Sequence, residues 1–443
     1  MVTLPTAAAL ALAALASAAP GATPAPEAPA VALPAVEELP LQAALDELDR
    51  ANPTLAQARA RGAEASALVR QSWSALLPTL TAQAQALRNR DAAELTIPPP
   101  IAPLPRTVIL QPLHSLTVQG SARVPLLAPS SWWDVAAARD AERASDASVE
   151  AARRNLKTSF VQAAHASRAA EELVVASDAA VKSAAELERS AARRVAAGTS
   201  PPLDRLRAET ELTRRESDLA QARANLERSR FGLGVLLGRD RPVRVVVPEL
   251  APPPDAAAPD ALARGALEAR PELAAQRAQV AAAEAGVKSA WARLAPQVSA
   301  SASYFASDTA YPTGEKDGWR VTLDLVWPLY DGGFRYGKLR QAQAQLSAAR
   351  AGEEAQRLAV VQDVVDASRD VSVAAERLRL AESQRRLASD AAASARRGFE
   401  AGVASSLDVI DANDRLYLAD VGLADARARL AQAAVGLDRA AGR

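Results

Sequence analysis

Four short segments of the sequence alternate between apolar and polar residues. In the last of them Trp319, Val321 and Leu323 point to one side of an extended chain, while Arg320 and Thr322 point to the other. A period of two is typical of a β-strand with one apolar face. We therefore predict strands at about residues 79–88, 115–126, 297–306 and 318–328.

Two tryptophans delimit the apolar face of the last strand. Trp319 and Trp327 are eight residues apart, a rise of about 20 Å at about 3.4 Å per residue and a tilt of about 40°. The lipid-facing band of an outer-membrane barrel has about this height and lies between two aromatic girdles. Trp319 and Trp327 are thus predicted to mark the two membrane interfaces.

Long helices account for most of the remaining chain. Proline is absent between Pro129 and Pro201, and also from 332 to 400. This predicts helices at about 129–197 and 332–400, each about 100 Å long at 1.5 Å per residue. Leucines repeat every seven residues in the segments that follow, as in a coiled-coil seam. A second seam of small residues, from Val360 to Ala395 in steps of seven, favours a ring of helices in which each contacts two neighbours.

The chain contains an internal duplication. Trp73 and Pro78 recur 218 positions later as Trp291 and Pro296, and the four leucines from 212 to 233 recur at a shift of 204. Landmarks that repeat in one order indicate two structural copies. We predict a first repeat at 41–240, an inter-repeat linker at 241–260 and a second repeat at 261–441. The first copy carries an extra loop that includes the proline-rich segment 97–105.

The N-terminus and the composition restrict the cellular setting. An apolar run followed by Ala16-Ser17-Ala18 predicts a signal peptide at 1–18, and a Pro/Ala-rich linker follows at 19–40. Lys+Arg and Asp+Glu both total 52, so the chain has no net basic charge to attract nucleic acid. The absence of cysteine excludes disulfides and cysteine metal sites.

Four strands are too few to close a membrane barrel, since single-chain barrels begin at about eight. An open sheet edge in lipid would leave backbone groups unpaired at a cost of several kcal/mol each. Several chains must therefore share one barrel, and three would supply 12 strands. The expected fold is mainly helical, with transmembrane β-strands and long antiparallel helices.

Two motifs give the chain a family resemblance. VWPLYDGG at 326–333 and FEAGVASSLDVIDA at 399–412 resemble the TolC-like outer-membrane efflux proteins, also called outer membrane factors. The resemblance covers nearly the whole chain from about residue 41. It implies a homotrimer in which a 12-stranded barrel in outer-membrane lipid joins a tunnel of 12 helices that extends into the periplasm. It also implies a passive exit duct that an inner-membrane pump reaches through a periplasmic adaptor protein.

Three aspartates after the helix breaks are candidates for a constriction at the periplasmic mouth. Asp408 and Asp411 are three residues apart and share a helix face, and Asp204 is the repeat equivalent of Asp408. Carboxylates in a first helical turn also suit the helix dipole, which explains Asp204 and Asp408 better than Asp411. The resemblance implies acidic rings at this position, which would favour cations.

The two turns between the paired helices are candidate contacts for the adaptor. Their residues are Gly198, Thr199 and Ser200 in the first copy, and Gly402, Val403, Ala404 and Ser405 in the second. A simpler role is a glycine that ends one helix and a serine that caps the next. The resemblance implies a closed entrance that, in the best-known arrangement, uses tyrosine and arginine near this turn, whereas this sequence has Phe399 and Ala404.

No catalytic or cofactor motif is present, so the chain is predicted not to be an enzyme and to need no cofactor. His114 and His165, the only histidines, lack metal-ligand spacing and are predicted to lie on the surface.

Two alternatives to the duct share its helices. A periplasmic adaptor should contain a lipoyl-like β-domain, which is not found, and a soluble alanine-rich coiled-coil scaffold needs no amphipathic strands.

Overall fold

The computed structural model describes residues 36–97, 106–248, 259–310 and 315–443. The predicted signal peptide and most of the predicted 19–40 linker lie outside these residues. The elements of the first repeat are β1 Glu37–Pro40, α1 Leu41–Ala51, α2 Pro53–Ser74, β2 Thr79–Arg88, β3 Ala93–Ile97, β4 Arg106–Gln111, β5 His114–Leu127, α3 Pro129–Ala196 and α4 Pro202–Leu236. Those of the second are β6 Val243–Val246, α5 Pro259–Ala269, α6 Pro271–Ala292, β7 Gln297–Ser307, β8 Asp317–Val326, α7 Phe334–Glu400 and α8 Ser406–Ala440.

The helices of the two repeats match in length. α1 and α5 have 11 residues each, α2 and α6 have 22, and α4 and α8 have 35. α3 has 68 residues and α7 has 67. The residue before the 22-residue helix has diverged: Asn52 caps α2 by accepting from the backbone N–H groups of Thr54 and Leu55, whereas Arg270 is buried and pairs with Asp363 at 2.9 Å.

Four strands form one antiparallel sheet in the order β2-β5-β7-β8. Its register aligns Leu80, Ala122, Ala302 and Val321 across all four strands. Because side chains alternate along a strand, this register places the apolar residues on one face and the polar residues on the other. β2 and β8 are the two edges of the sheet.

The helices follow the same lateral order as the strands. α3 packs against α2, α4, α6 and α8, and α7 packs against α6 and α8, while α4 contacts α8 over a much smaller area. α4 and α2 are joined end to end by Asn52, whose side chain donates to the carbonyl of Leu236 at 2.7 Å. Arg154 connects the ends of α5 and α8 by donating to the carbonyls of Ala269 and Gly442. α4 and α7 therefore lie at the two edges of the row.

Both segments predicted as linkers contribute a short strand. β1 and β6 pair in parallel, with Glu37 opposite Val243. Val243 belongs to a buried cluster with Leu48 of α1 and Phe160 of α3. Ion pairs surround the cluster, including Arg239 with Glu47 at 2.5 Å. A run of four residues is too short to show a strand period, so the sequence pattern did not distinguish either strand from a linker.

The extra loop of the first copy contains a further hairpin. β3 and β4 pair antiparallel between β2 and β5, and this hairpin was not predicted. Residues 98–105, which include most of the predicted proline-rich loop, lie outside the described residues. β8 ends at Val326, so Trp327 follows the strand that was predicted to contain it.

Candidate functional site

The apolar face of the sheet is exposed in the single chain. The Trp319 side chain is 77% exposed, and Leu80, Val321, Leu323 and Leu325 are also largely exposed. Trp327 is 56% exposed, and its indole N–H donates to the carbonyl of Leu294 at 3.1 Å. A continuous apolar surface of this kind marks an interaction with protein or membrane.

The opposite face carries hydrogen-bonded polar side chains. Thr81 and Ser121 pair at 2.5 Å across β2 and β5, and Ser301 and Thr322 pair at 2.6 Å across β7 and β8. Arg123 donates to the Ser299 hydroxyl at 3.1 Å. These hydroxyl and guanidinium groups make a face suited to contact water.

The helix pairs end in two turns, which we call the tip. Gly198 and Gly402 have φ of 73° and 79°, a left-handed conformation that glycine adopts without steric cost. Val403 is 85% exposed. Ser405 caps α8 as predicted, but Ser200 does not cap α4, because Pro201 occupies the N-cap position and makes no side-chain hydrogen bond.

The three candidate aspartates have different partners. Asp204 accepts a hydrogen bond from the buried Ser406 at 2.8 Å, which connects α4 to α8. Asp408 forms a capping box with Ser405, and hydrogen bonds from the hydroxyl and the backbone N–H of Ser405 lower its pKa. Asp411 is exposed and pairs with Arg415 at 2.9 Å. Of the three, Asp411 has the fewest structural contacts.

Phe399 lies inside the tip rather than on its surface. Its ring is 5% exposed and packs with Leu187 of α3, Ala208 of α4 and Val409 of α8. The Arg194 guanidinium lies 4.4 Å from the ring centre. Phe399 thus brings together side chains from all four helices near the tip.

A buried arginine above the tip was not identified from the sequence. Arg215 of α4 is 2% exposed; it donates to Glu211 at 2.6 Å and to Asp414 of α8, and it lies 4.6 Å from the ring centre of Tyr417. Burial alone would lower the pKa of Arg215, but the hydrogen bonds and charges of Asp414 and Glu211 outweigh it and raise that pKa. Because Asp414 is distant in sequence, only a charge pattern within α4, Glu211-x3-Arg215, hinted at part of this cluster.

His165 contradicts its predicted surface position. It is buried and lines the same cavity as Ala424 and Leu430 of α8. Burial lowers its pKa, and the nearby charge of Arg168 acts in the same direction. In the part of the chain that the structure describes, no group of three or more His, Asp or Glu residues could hold a metal ion. Within the same residues, no helix combines the length and the apolar character needed to cross a membrane.

Comparison with known proteins agrees with this architecture. The fold superposes on the CusC structure with a TM-score of 0.77 at 16% identity, covering 91% of this chain and 92% of CusC. The outer-membrane channel OprN gives 0.74 at 23% identity, with 91% and 89% covered. The cobalt-zinc-cadmium resistance protein CzcC of Cupriavidus metallidurans is 28% identical over 309 residues, which is 69% of this chain and 72% of CzcC.

The family profile described as outer membrane efflux protein matches residues 44–239 and 262–443, most of the chain. This match confirms the predicted family, the location in the outer membrane and the prediction that the protein is not an enzyme. The chain belongs to the outer membrane efflux protein family.

Proposed function

We propose that three copies of this chain form the passive exit duct of a tripartite efflux or secretion system. The proposal rests on the unpaired edges of a single chain. The sheet ends at β2 and β8, and the row of helices ends at α4 on the β2 side and at α7 on the β8 side. β2 and β8 run in opposite directions, since the four strands alternate. β8 of one copy can therefore pair antiparallel with β2 of the next, while α7 packs against the neighbouring α4.

A water-filled pore requires more than two copies. Two copies would close an eight-stranded barrel, whose interior is about filled by side chains. Three copies give 12 strands and 12 helices in the tunnel wall, and leave room for water along the hydroxyl-bearing face. The exposed apolar face then contacts outer-membrane lipid, with Trp319 and Trp327 at its two borders.

The tip is the proposed docking surface for the periplasmic adaptor. The exposed Val403, which follows the turn glycine Gly402, suits close packing against a helical hairpin. The turns of the tip consist of Gly198, Thr199, Ser200, Gly402, Val403, Ala404 and Ser405. The adaptor would connect the duct to the inner-membrane pump. Substrate selection belongs to that pump, because an open tube has no enclosed pocket. The chain has no cysteine, so Val403→Cys provides a unique site for cross-linking to a co-expressed adaptor.

We further propose that Asp411 supplies the carboxylate ring at the periplasmic mouth, together with Asp204 and Asp408. Replacing Asp408 and Asp411 by alanine should weaken cation preference in planar bilayers. The single Asp411→Ala variant should reproduce most of this effect, because Asp408 is engaged in the helix cap. Unchanged selectivity in the double variant would exclude the ring.

The first experiment is the native mass of the protein after detergent extraction from an outer-membrane fraction. We expect the mass of three chains plus a micelle, and channel conductance after reconstitution. A monomer or dimer that stays in solution without detergent would contradict the duct and favour the coiled-coil scaffold.

A further inference from the structure

Five of the six tryptophans occupy one level of the molecule, where strands meet helices. Trp73, Trp132, Trp133, Trp291 and Trp327 all lie within six residues of a strand end, on its helical side. All five side chains are substantially exposed. We define this level as the junction collar, comprising residues 70–78, 129–139, 288–296 and 327–340.

The junction collar is strongly basic, although the whole chain is neutral. It contains seven basic residues, Arg70, Arg139, Lys288, Arg293, Arg335, Lys338 and Arg340. Its two acidic residues are both paired with collar arginines: Asp134 with Arg293 at 3.4 Å and Asp331 with Arg335 at 2.7 Å. The net charge of five positive per chain would become about fifteen in a trimer.

Three of the unpaired cations lie close to aromatic rings. The Arg139 guanidinium is 5.1 Å from the centre of Trp73, and the Lys288 ammonium is 4.8 Å from the centre of Trp133. Lys338 lies 5.7 Å from the centre of Phe334. Within the described residues none of these three cations forms a salt bridge. Ring contact orients a cation but leaves its charge uncompensated, so each can still bind an anion.

The collar borders the apolar face of the sheet. Trp327 continues the alternation of Trp319, Val321, Leu323 and Leu325, so the lipid-facing surface ends at the collar. Aromatic side chains prefer the level of lipid headgroups, since one part of the ring is apolar and the other is polar. Because the helices start here, this level is that of the periplasmic leaflet.

From this geometry we infer that the junction collar binds the phosphate groups of anionic phospholipids in the periplasmic leaflet. The inference rests on the proposed function, since it requires the sheet to lie in the membrane. A headgroup such as phosphatidylglycerol carries a net negative charge, whereas the ammonium of phosphatidylethanolamine neutralises its own phosphate. Five of the seven collar cations have no acidic partner within the described residues, and these five would select the anionic headgroup.

The test measures lipid selectivity in the intact protein. The purified trimer is reconstituted with equal amounts of phosphatidylglycerol and phosphatidylethanolamine and re-extracted, and retained lipids are counted by native mass spectrometry. The collar variant combines Arg139→Gln, Lys288→Gln and Lys338→Gln. Its matched control combines Arg189→Gln, Arg377→Gln and Arg386→Gln, three exposed arginines of α3 and α7 outside the collar. We expect the wild type and the control to retain phosphatidylglycerol preferentially, and the collar variant to lose about fivefold or more of this preference.

Conductance of the same preparations distinguishes a failure of the collar assignment from a failure of the proposed duct. A conducting trimer that shows no phosphatidylglycerol preference overturns the collar assignment and leaves the duct intact. A collar variant with altered ion selectivity but unchanged lipid retention shows that these cations face the lumen, which also overturns the assignment. A protein that forms neither a trimer nor a channel overturns both the duct and the collar.

Discussion

The Arg194 guanidinium lies 4.4 Å from the centre of the Phe399 ring and thereby connects α3 to α7 near the tip. These two helices are not neighbours along most of the row, because α8 separates them. The Phe399 ring is buried there, and it packs with Leu187 of α3, Ala208 of α4 and Val409 of α8.

Replacing Phe399 by alanine should loosen the tip. Removing a buried phenylalanine ring leaves a cavity and lowers stability by about 3–5 kcal/mol. We expect a lower midpoint of thermal unfolding in detergent and more frequent high-conductance openings in bilayers. Phe231→Ala, at a half-exposed position of α4, is the matched control and should change both properties little. Equal effects at the two positions would contradict the role of Phe399.

The contact between α4 and the segment that precedes β6 depends on Gly234. A Cβ atom there would lie 2.0 Å from the backbone carbonyl oxygen of Arg241. Gly234→Ala should therefore displace that segment and reduce the yield of folded protein. Gly232→Ala meets nothing within 4 Å and should be neutral or stabilise by up to about 1 kcal/mol, since alanine is the better helix former. Circular dichroism melting curves of the two variants would test this difference.

Gly318 makes room for Phe305 on the polar face of the sheet. A Cβ atom at Gly318 would lie 2.7 Å from the Phe305 ring. Gly318→Ala should thus cost about 1–3 kcal/mol through overpacking. Gly120→Ala on β5 has open space and serves as the control. Heat-dependent gel mobility of the assembled protein would show an earlier transition for Gly318→Ala alone; equal transitions would contradict the packing role.

Asp49 should make stability depend on acid pH. Its carboxylate lies 2.7 Å from both Arg153 and Lys157 of α3. The hydrogen bond from Arg153, opposed by desolvation, lowers the pKa of Asp49 from 3.8 to about 2. The folded state therefore gains stability above pH 3.8, about 1–2 kcal/mol after solvent screening, and loses it as the pH falls towards 2.

Asp49→Asn should remove this contribution, so that stability falls less steeply between about pH 4 and pH 2. Asp46→Asn is the control, because Asp46 is on the same helix and, within the described residues, forms no ion pair with α3. Denaturation midpoints across this pH range give the comparison. An unchanged acid slope in Asp49→Asn would show that the pair with Arg153 contributes nothing to folding.

The strands and the helix seams could be predicted from the sequence, because their periodic patterns depend on residues only a few positions apart. The alternation from Trp319 to Leu325 and the seven-residue leucine spacing each reflect one repeated backbone geometry. The duplication was readable for a related reason, since both copies keep the residues that begin and end helices. The fold family followed from these patterns and from the motifs at 326–333 and 399–412.

The candidate site was less predictable. Ser405 and Ser200 were both predicted to cap the helix that follows. Ser405 does so, whereas Pro201 occupies the N-cap position of α4 in place of Ser200. Asp204 and Asp408 are repeat equivalents and Asp411 lies on the same helix face as Asp408, yet each of the three has a different partner. A pattern identifies which residue types are available, whereas hydrogen bonds depend on distances that only the packed helices determine.

The sequence by itself determined the long helices, the two repeats and the amphipathic faces of the four sheet strands, because short-range periodicity encodes them. Only the tertiary structure decided the lateral order of the helices, the pairing of β1 with β6, the burial of His165 and the contact of Arg215 with Asp414. The last pair is 199 residues apart, and contacts of that range leave no local period. They form because packing the two repeats side by side buries a shared surface that neither repeat encodes alone.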